Sequence, residues 1–128
     1  MSRKSKGINA ERDLVHKFWA NNWASVRIAG SGSMRYPSAD IIATNKVRKL
    51  AIECKATKDT SKYIDKEDID QLRQFAELFA AEPYIAIKFA KREWFFLTLE
   101  DMEETDKSLM IDIEKAQIKG ILFEELIK

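Results

Sequence analysis

With 128 residues, 45% of them hydrophobic, the chain has apolar surface for one core and too little length for two. The formal net charge of +1 excludes a uniformly basic protein, but residues 1–66 hold 14 Lys/Arg against 6 Asp/Glu while residues 67–128 hold 8 against 15. That asymmetry points to a polyanionic partner held by the first half. No apolar run nears the roughly 18 residues that cross a bilayer and no apolar stretch follows the basic start, so a cytoplasmic protein without membrane contact is expected. The lone Cys54 cannot form an internal disulfide, which suits a reducing compartment.

No internal repeat, low-complexity block or long linker divides the chain, so residues 1–128 read as one domain. Leu14, Val15, Phe18 and Trp19 form one stripe of a helix predicted over Asn9–Asn21, with Asn9 as its N-cap. "WASVRIA" reads as a short strand and "GSGSMRYPS", Gly30–Ser38, as a loop. "DIIAT" and "KLAIECKAT" read as two strands joined by a polar turn around Asn45–Arg48. A polar segment containing Tyr63 leads to a second helix over Ile69–Ala81. "PYIAIKFA" and "EWFFLTL" are two further strands about a turn at Lys91 and Arg92. Beyond them, "SLMIDIEKA" is assigned to a strand and "FEELI" to a short helix, with Gly120 between. Helices interleaved with strands predict an α/β domain with a central mixed β-sheet flanked by helices.

The strand "LAIECKATK" carries the chemistry. Alternation places Ala51, Glu53 and Lys55 on one face and Leu50, Ile52, Cys54 and Ala56 on the other. A hairpin centred on the Lys46–Val47 bond pairs residues whose numbers sum to 93, which sets Asp40 opposite Glu53. A slip of one residue would separate those two carboxylates onto opposite faces. Opposed like charges call for compensation, and a hard divalent cation held by Asp40, Glu53 and the Cys54 backbone carbonyl supplies it. Such a cation acidifies a bound water and polarises a phosphodiester. Lys55 is placed to orient or deprotonate that water, or to stabilise charge developing on phosphate. Glu11 falls on the inward stripe of the first helix; on its own it is better explained by the helix dipole. His16 lies off that stripe and reads as a surface residue.

Asp40 followed by "E-C-K" at Glu53–Lys55 resembles the PD-(D/E)xK nuclease core, with Pro37 three positions before the aspartate instead of one. Together with "GINAERDL", "AGSGSMRYPSADIIA", helix 2 and "IAIKF…WFFL", residues 7–99 resemble the archaeal Holliday junction resolvases of the Hjc type. The stretch after Leu99 matches poorly. The resemblance implies a restriction-endonuclease-like core and a homodimer that cuts two opposed strands of a four-way junction with Mg²⁺, or Mn²⁺ in its place. It makes Glu11, Asp40, Glu53 and Lys55 the catalytic set, with Glu11 joining Asp40, Glu53 and the Cys54 carbonyl around the metal. It also matches Arg12 to a basic residue of the family and sets Ser31 and Ser33 in a mobile loop. Accessory recombination proteins are left open as partners.

Charge adds a DNA footprint of Lys4, Lys6, Arg27, Arg35, Lys58 and Lys62, extended by Arg3, Lys46, Arg48 and Lys49. Helix 2 spreads its apolar residues over too wide an arc for one sheet to cover, which leaves Phe75, Leu78 and Phe79 needing another partner and marks Leu72, Phe75 and Phe79 for a dimer interface. Two alternatives to a resolvase stand beside it: another PD-(D/E)xK repair or restriction-type endonuclease, and a non-cleaving junction-binding protein. Clustered carboxylates facing a polyanion argue against the last.

Overall fold

The computed structural model describes residues 3–30, 35–102 and 108–128. The chain runs through α1 (Arg3–Ala20), β1 (Ala24–Arg27), β2 (Ile41–Thr44), β3 (Lys49–Thr57), β4 (Ser61–Asp65) and α2 (Lys66–Phe79). It continues through β5 (Glu82–Phe89), β6 (Trp94–Thr98), a 3-10 turn (Glu100–Met102), β7 (Ser108–Asp112), α3 (Ile113–Lys119) and α4 (Phe123–Leu126). Five strands form one sheet in the order β1-β2-β3-β5-β6, and β4 pairs with β7 in a second sheet. Among the described residues β3 and β5 run parallel and the other pairs of the main sheet are antiparallel, so that sheet is mixed as expected.

The β2–β3 hairpin has the register read from the sequence. Ile41 pairs with Ile52, Ile42 with Ala51, Ala43 with Leu50 and Thr44 with Lys49. Its turn explains why. The Asn45 side chain accepts from the Val47 and Arg48 N–H groups at 3.1 and 2.8 Å, and Lys46 takes φ 85. The Asn45 carboxamide thus replaces a backbone partner and fixes the loop length, which fixes the register.

Alternation along β3 and β5 then builds two cores. Leu50, Ile52 and Ala86 pack with Leu14 and Phe18 of α1 and with Phe123 and Leu126 of α4. On the opposite face, Ala51, Ile85 and Ile87 pack with Ile69, Leu72 and Ala76 of α2 and with Ile64, Leu109 and Ile111 of the small sheet. Each fully buried Leu or Ile contributes on the order of 2 kcal/mol. The C-terminal chain returns to the sheet edge, where the Phe96 and Ile121 backbones exchange hydrogen bonds at 2.9 and 3.0 Å. Gly120 lets it pass, since a Cβ there would sit 2.6 Å from the Ala116 carbonyl oxygen.

Four expectations need correction. Helix α1 begins at Arg3, so Asn9 is an interior residue and not an N-cap; the polar start of the helix has no apolar stripe for periodicity to detect. Helix α2 covers Lys66–Phe79, ending at Ala80 in the left-handed region (φ 58). The segment around Tyr63 is strand β4, which pairs antiparallel with the distant β7, Ser61 opposite Asp112 and Asp65 opposite Ser108. "SLMIDIEKA" is a strand only to Asp112, whose carboxylate accepts from the Lys115 N–H at 2.7 Å and so starts α3. Ser31 and Ser33 lie outside the described residues, and so do the side chains of Lys4 and Lys6.

Candidate active site

At the open end of the β2–β3 hairpin, Asp40 is fastened from both sides. Its carbonyl accepts from the Ile28 N–H at 2.8 Å and its N–H donates to the Ile52 carbonyl at 2.9 Å. Its Oδ2 accepts from the Cys54 N–H at 2.8 Å. The carboxylate is therefore bound to the strand that carries Glu53, and the two acidic side chains come within hydrogen-bonding reach of each other. The expected juxtaposition is present, one position beyond the last regular pair of the ladder.

Glu53 is largely buried beside that carboxylate. Burial first, then the negative charge of Asp40, push its pKa up to about 8, and Lys55 offsets only part of this. The Lys55 ammonium lies 3.5 Å from Glu53 Oε2 and 3.0 Å from Asp68 Oδ2. Burial works against the charge on Lys55, but the Glu53 and Asp68 carboxylates outweigh it and raise its pKa. Asp68 stands in the first turn of α2 and was not anticipated from sequence. The signal was the "SKYID" strand: once β4 is recognised, α2 starts at Lys66 and Asp68 falls beside Lys55.

Glu11 approaches from α1. Its Oε1 lies 3.7 Å from Arg27 Nη1. Burial and the Asp40 charge raise its pKa, while Arg27 works in the opposite direction. All four expected catalytic residues are thus brought to one end of the hairpin, with Arg27 serving as the partner of Glu11. The Cys54 thiol points to the α1 core, where burial and the neighbouring Asp40 charge push its pKa well above the usual range. A thiol held in its protonated form in this way is a poor nucleophile.

The oxygen-rich donor set fits a hard cation. Asp40 and Glu53 face each other at an energetic cost that a divalent charge would remove, and Mg²⁺ is commonly held by only one or two carboxylates plus water. Among the described residues no three His, Cys, Asp or Glu side chains converge as a metal cluster. Glu11 pairs with Arg27 and also feels the Asp40 charge.

The expected DNA-binding residues separate by environment. Arg12, Arg35 and Lys58 are exposed and Lys62 is half-buried. A separate cleft of about 950 Å³ lies between the start of α1 and the end of β3, lined by Asn9, Asp13, Lys58, Lys62, Tyr63 and Lys88. Lys88 was not singled out from the sequence. Arg48 and Lys49, expected in the footprint, are committed elsewhere: Arg48 to Glu82 and the C-terminal backbone, Lys49 to the Phe79 carbonyl at 2.9 Å. Leu72 is also corrected, since it is fully buried in the α2 core and cannot form a dimer surface.

The model of the archaeal Holliday junction resolvase (hjc) family matches residues 2–128. The chain belongs to that family. The match runs past Leu99, where the sequence resemblance had stopped. Among members of the resolvase family, the crossover junction endodeoxyribonuclease Hjc of Archaeoglobus fulgidus is 38% identical over 129 residues, covering 95% of each chain. The protein of the same name from Methanocaldococcus jannaschii is 37% identical over 122 residues, covering 95% of this chain and 86% of that one. The solved structure of Archaeoglobus fulgidus Hjc, described as a Holliday junction resolvase, aligns with a TM-score of 0.85 at 35% identity. That alignment covers 93% of this chain and 96% of the other. Resolvases of this family are endodeoxyribonucleases, and among the described residues no helix is long and apolar enough to cross a membrane.

Proposed function

We propose that this chain is a structure-selective endonuclease that resolves four-way DNA junctions by paired phosphodiester hydrolysis. The observation that carries the reading is the pair of opposed carboxylates, Asp40 and Glu53, beside the Lys55 ammonium in a chain of the resolvase family. Asp40, Glu53 and the Cys54 carbonyl are the residues that would hold Mg²⁺, with Mn²⁺ as the substitute. Such a cation supplies Lewis-acid polarisation of the phosphodiester and a water made acidic enough to attack at neutral pH.

The protein groups have separate tasks. Asp40, fixed by the Cys54 N–H, presents a carboxylate that needs no rearrangement. Glu53 must shed its proton to act as a ligand. Lys55, with two carboxylates near its Nζ, works as a cation directed at charge developing on phosphate, and its raised pKa disfavours the role of general base. Glu11 and Arg27 flank the site as an ion pair, and the Arg27 guanidinium is suited to meet phosphate.

Shape, not base sequence, is the substrate determinant in this reading. Arg12, Arg35, Lys58 and Lys62 contact phosphates, which position a protein without reading bases. Ser31 and Ser33 are given the same task by the hydroxyls of the Gly30–Ser38 loop, as are Lys4 and Lys6 by charge. A two-fold homodimer would set two equivalent sites on strands of like polarity, so both cuts follow from one axis. Support for the dimer comes from the end of α2, where Leu78 is 90% exposed and Phe79 39% exposed, with Phe79 stacked on Phe75 at 5.2 Å. Sedimentation of Leu78→Glu with Phe79→Glu is expected to give a monomer; Phe75 is spared because it also packs on the core.

The functional test is competition between four-way junctions of unrelated arm sequence and linear duplexes of the same sequences. Preference for the junction should persist across arm sequences and affinity should fall steeply with salt. Equal competition by duplex would replace the resolvase reading with that of a general nuclease.

A further inference from the structure

We infer that Asp68 is a positioning residue for cleavage, an anchor from α2 that fixes the Lys55 ammonium in its working direction. The inference rests on the reading of Lys55 as part of the cleaving site. Lys55 leaves β3 on a flexible four-carbon stem, and such a side chain carries about 2 kcal/mol of rotamer entropy. Two carboxylates remove that freedom. Asp68 is the closer, at 3.0 Å against 3.5 Å for Glu53.

The two anchors are not equivalent. Glu53 lies on the same strand, two residues away, and is itself claimed by the cation site. When a cation takes its carboxylate, its attraction for Lys55 is shared. Asp68 comes from another element and has no such second claim. It lies in the first turn of a helix whose Ile69 and Leu72 are buried in the core, so the carboxylate is carried on a rigid mount. The Asp65 N-cap side chain makes no capping bond, and Asp68 Oδ2 is given to Lys55. An acidic residue there would favour the helix N-terminus in any case, but a dipole role alone does not require the direct contact to Lys55. With Asp68 in place, Lys55 is held against the sheet face that carries Asp40 and Glu53 while the substrate enters.

The test measures single-turnover cleavage of a four-way junction in Mg²⁺, with Lys55→Met run in parallel. Asp68→Ala and Asp68→Asn should slow cleavage roughly 10- to 100-fold, the loss typical of a catalytic group displaced by about an ångström. Junction binding should be unchanged, and Asp68→Glu should recover most of the rate. A second readout needs no metal or DNA: the ¹H–¹⁵N signal of the Lys55 ammonium should be resolved in the wild type and in Asp68→Glu, and lost to solvent exchange in Asp68→Ala. If Lys55→Met is inactive while Asp68→Ala cuts at the wild-type rate, the anchor is overturned and the site stands. If Lys55→Met itself cuts normally, the site reading fails and takes the anchor with it.

Discussion

The β2–β3 hairpin has two ends built from the same strands and used in opposite ways. At the turn, Arg48 gives Nε and Nη2 to the two Glu82 oxygens at 2.8 and 2.9 Å. Its Nη1 donates to the Leu126 carbonyl at 2.6 Å, and its guanidinium lies over the Trp23 ring. The pair satisfies itself: hydrogen bonding to Arg48 lowers the Glu82 pKa, and hydrogen bonding to Glu82 raises that of Arg48. At the open end, Asp40 and Glu53 are pressed together and Glu53 prefers its proton up to about pH 8. Charge that finds its partner inside the chain serves architecture. Charge left in excess is what a cation from outside would neutralise.

Breaking the open end should have the largest effect. Asp40→Asn or Glu53→Gln is expected to reduce junction cleavage by on the order of 10³-fold, since removing one transition-state contact already costs about 10²–10³. Gel-shift measurement should find junction binding retained or tightened, because a negative charge facing phosphate is gone. Near-normal cutting by either variant in Mg²⁺ would remove the hairpin end from the chemistry.

The next effect is on pH. Glu53 has a folded pKa of about 8 against an ordinary 4.5, so its contribution to stability is complete below 4.5 and is lost as pH rises through about 8. Glu11, also raised, has the same sign. Metal-free protein should therefore melt at lower temperature at pH 9 than at pH 6, and Glu53→Gln should flatten that dependence. An unchanged slope in the variant would locate the titration elsewhere.

The turn end should respond in the opposite sense, with stability altered and chemistry intact. Arg48→Ala removes a partly exposed bidentate pair and the bond to the C-terminal backbone, a loss of roughly 1–3 kcal/mol. Denaturant titration should register it while junction cleavage persists. A cleavage defect without a stability defect would return Arg48 to the DNA footprint.

The sequence made the open end legible because its signals are local. Period-2 alternation set the faces of β3, and a short turn containing Asn45 set the register. What escaped depends on distant partners. Strand β4 is polar and declares itself only when β7 pairs with it, so the start of α2 and the place of Asp68 were hidden together. Arg48 looked like one more basic residue because Glu82 and Leu126 meet it only in the fold. Leu72 shared a helical arc with Phe75, and periodicity does not say where the sheet's cover stops.

The most direct measurement of that excess charge is calorimetric titration of Mg²⁺, or the tighter-binding Mn²⁺, into wild type and Glu53→Gln near pH 7. It is run in two buffers of different protonation enthalpy. Since Glu53 must give up its proton to become a ligand, wild type should release about one proton for each cation bound. The variant should bind far more weakly and release none. Equal affinity and equal proton release in the two proteins would contradict the assignment of the cation to Asp40 and Glu53.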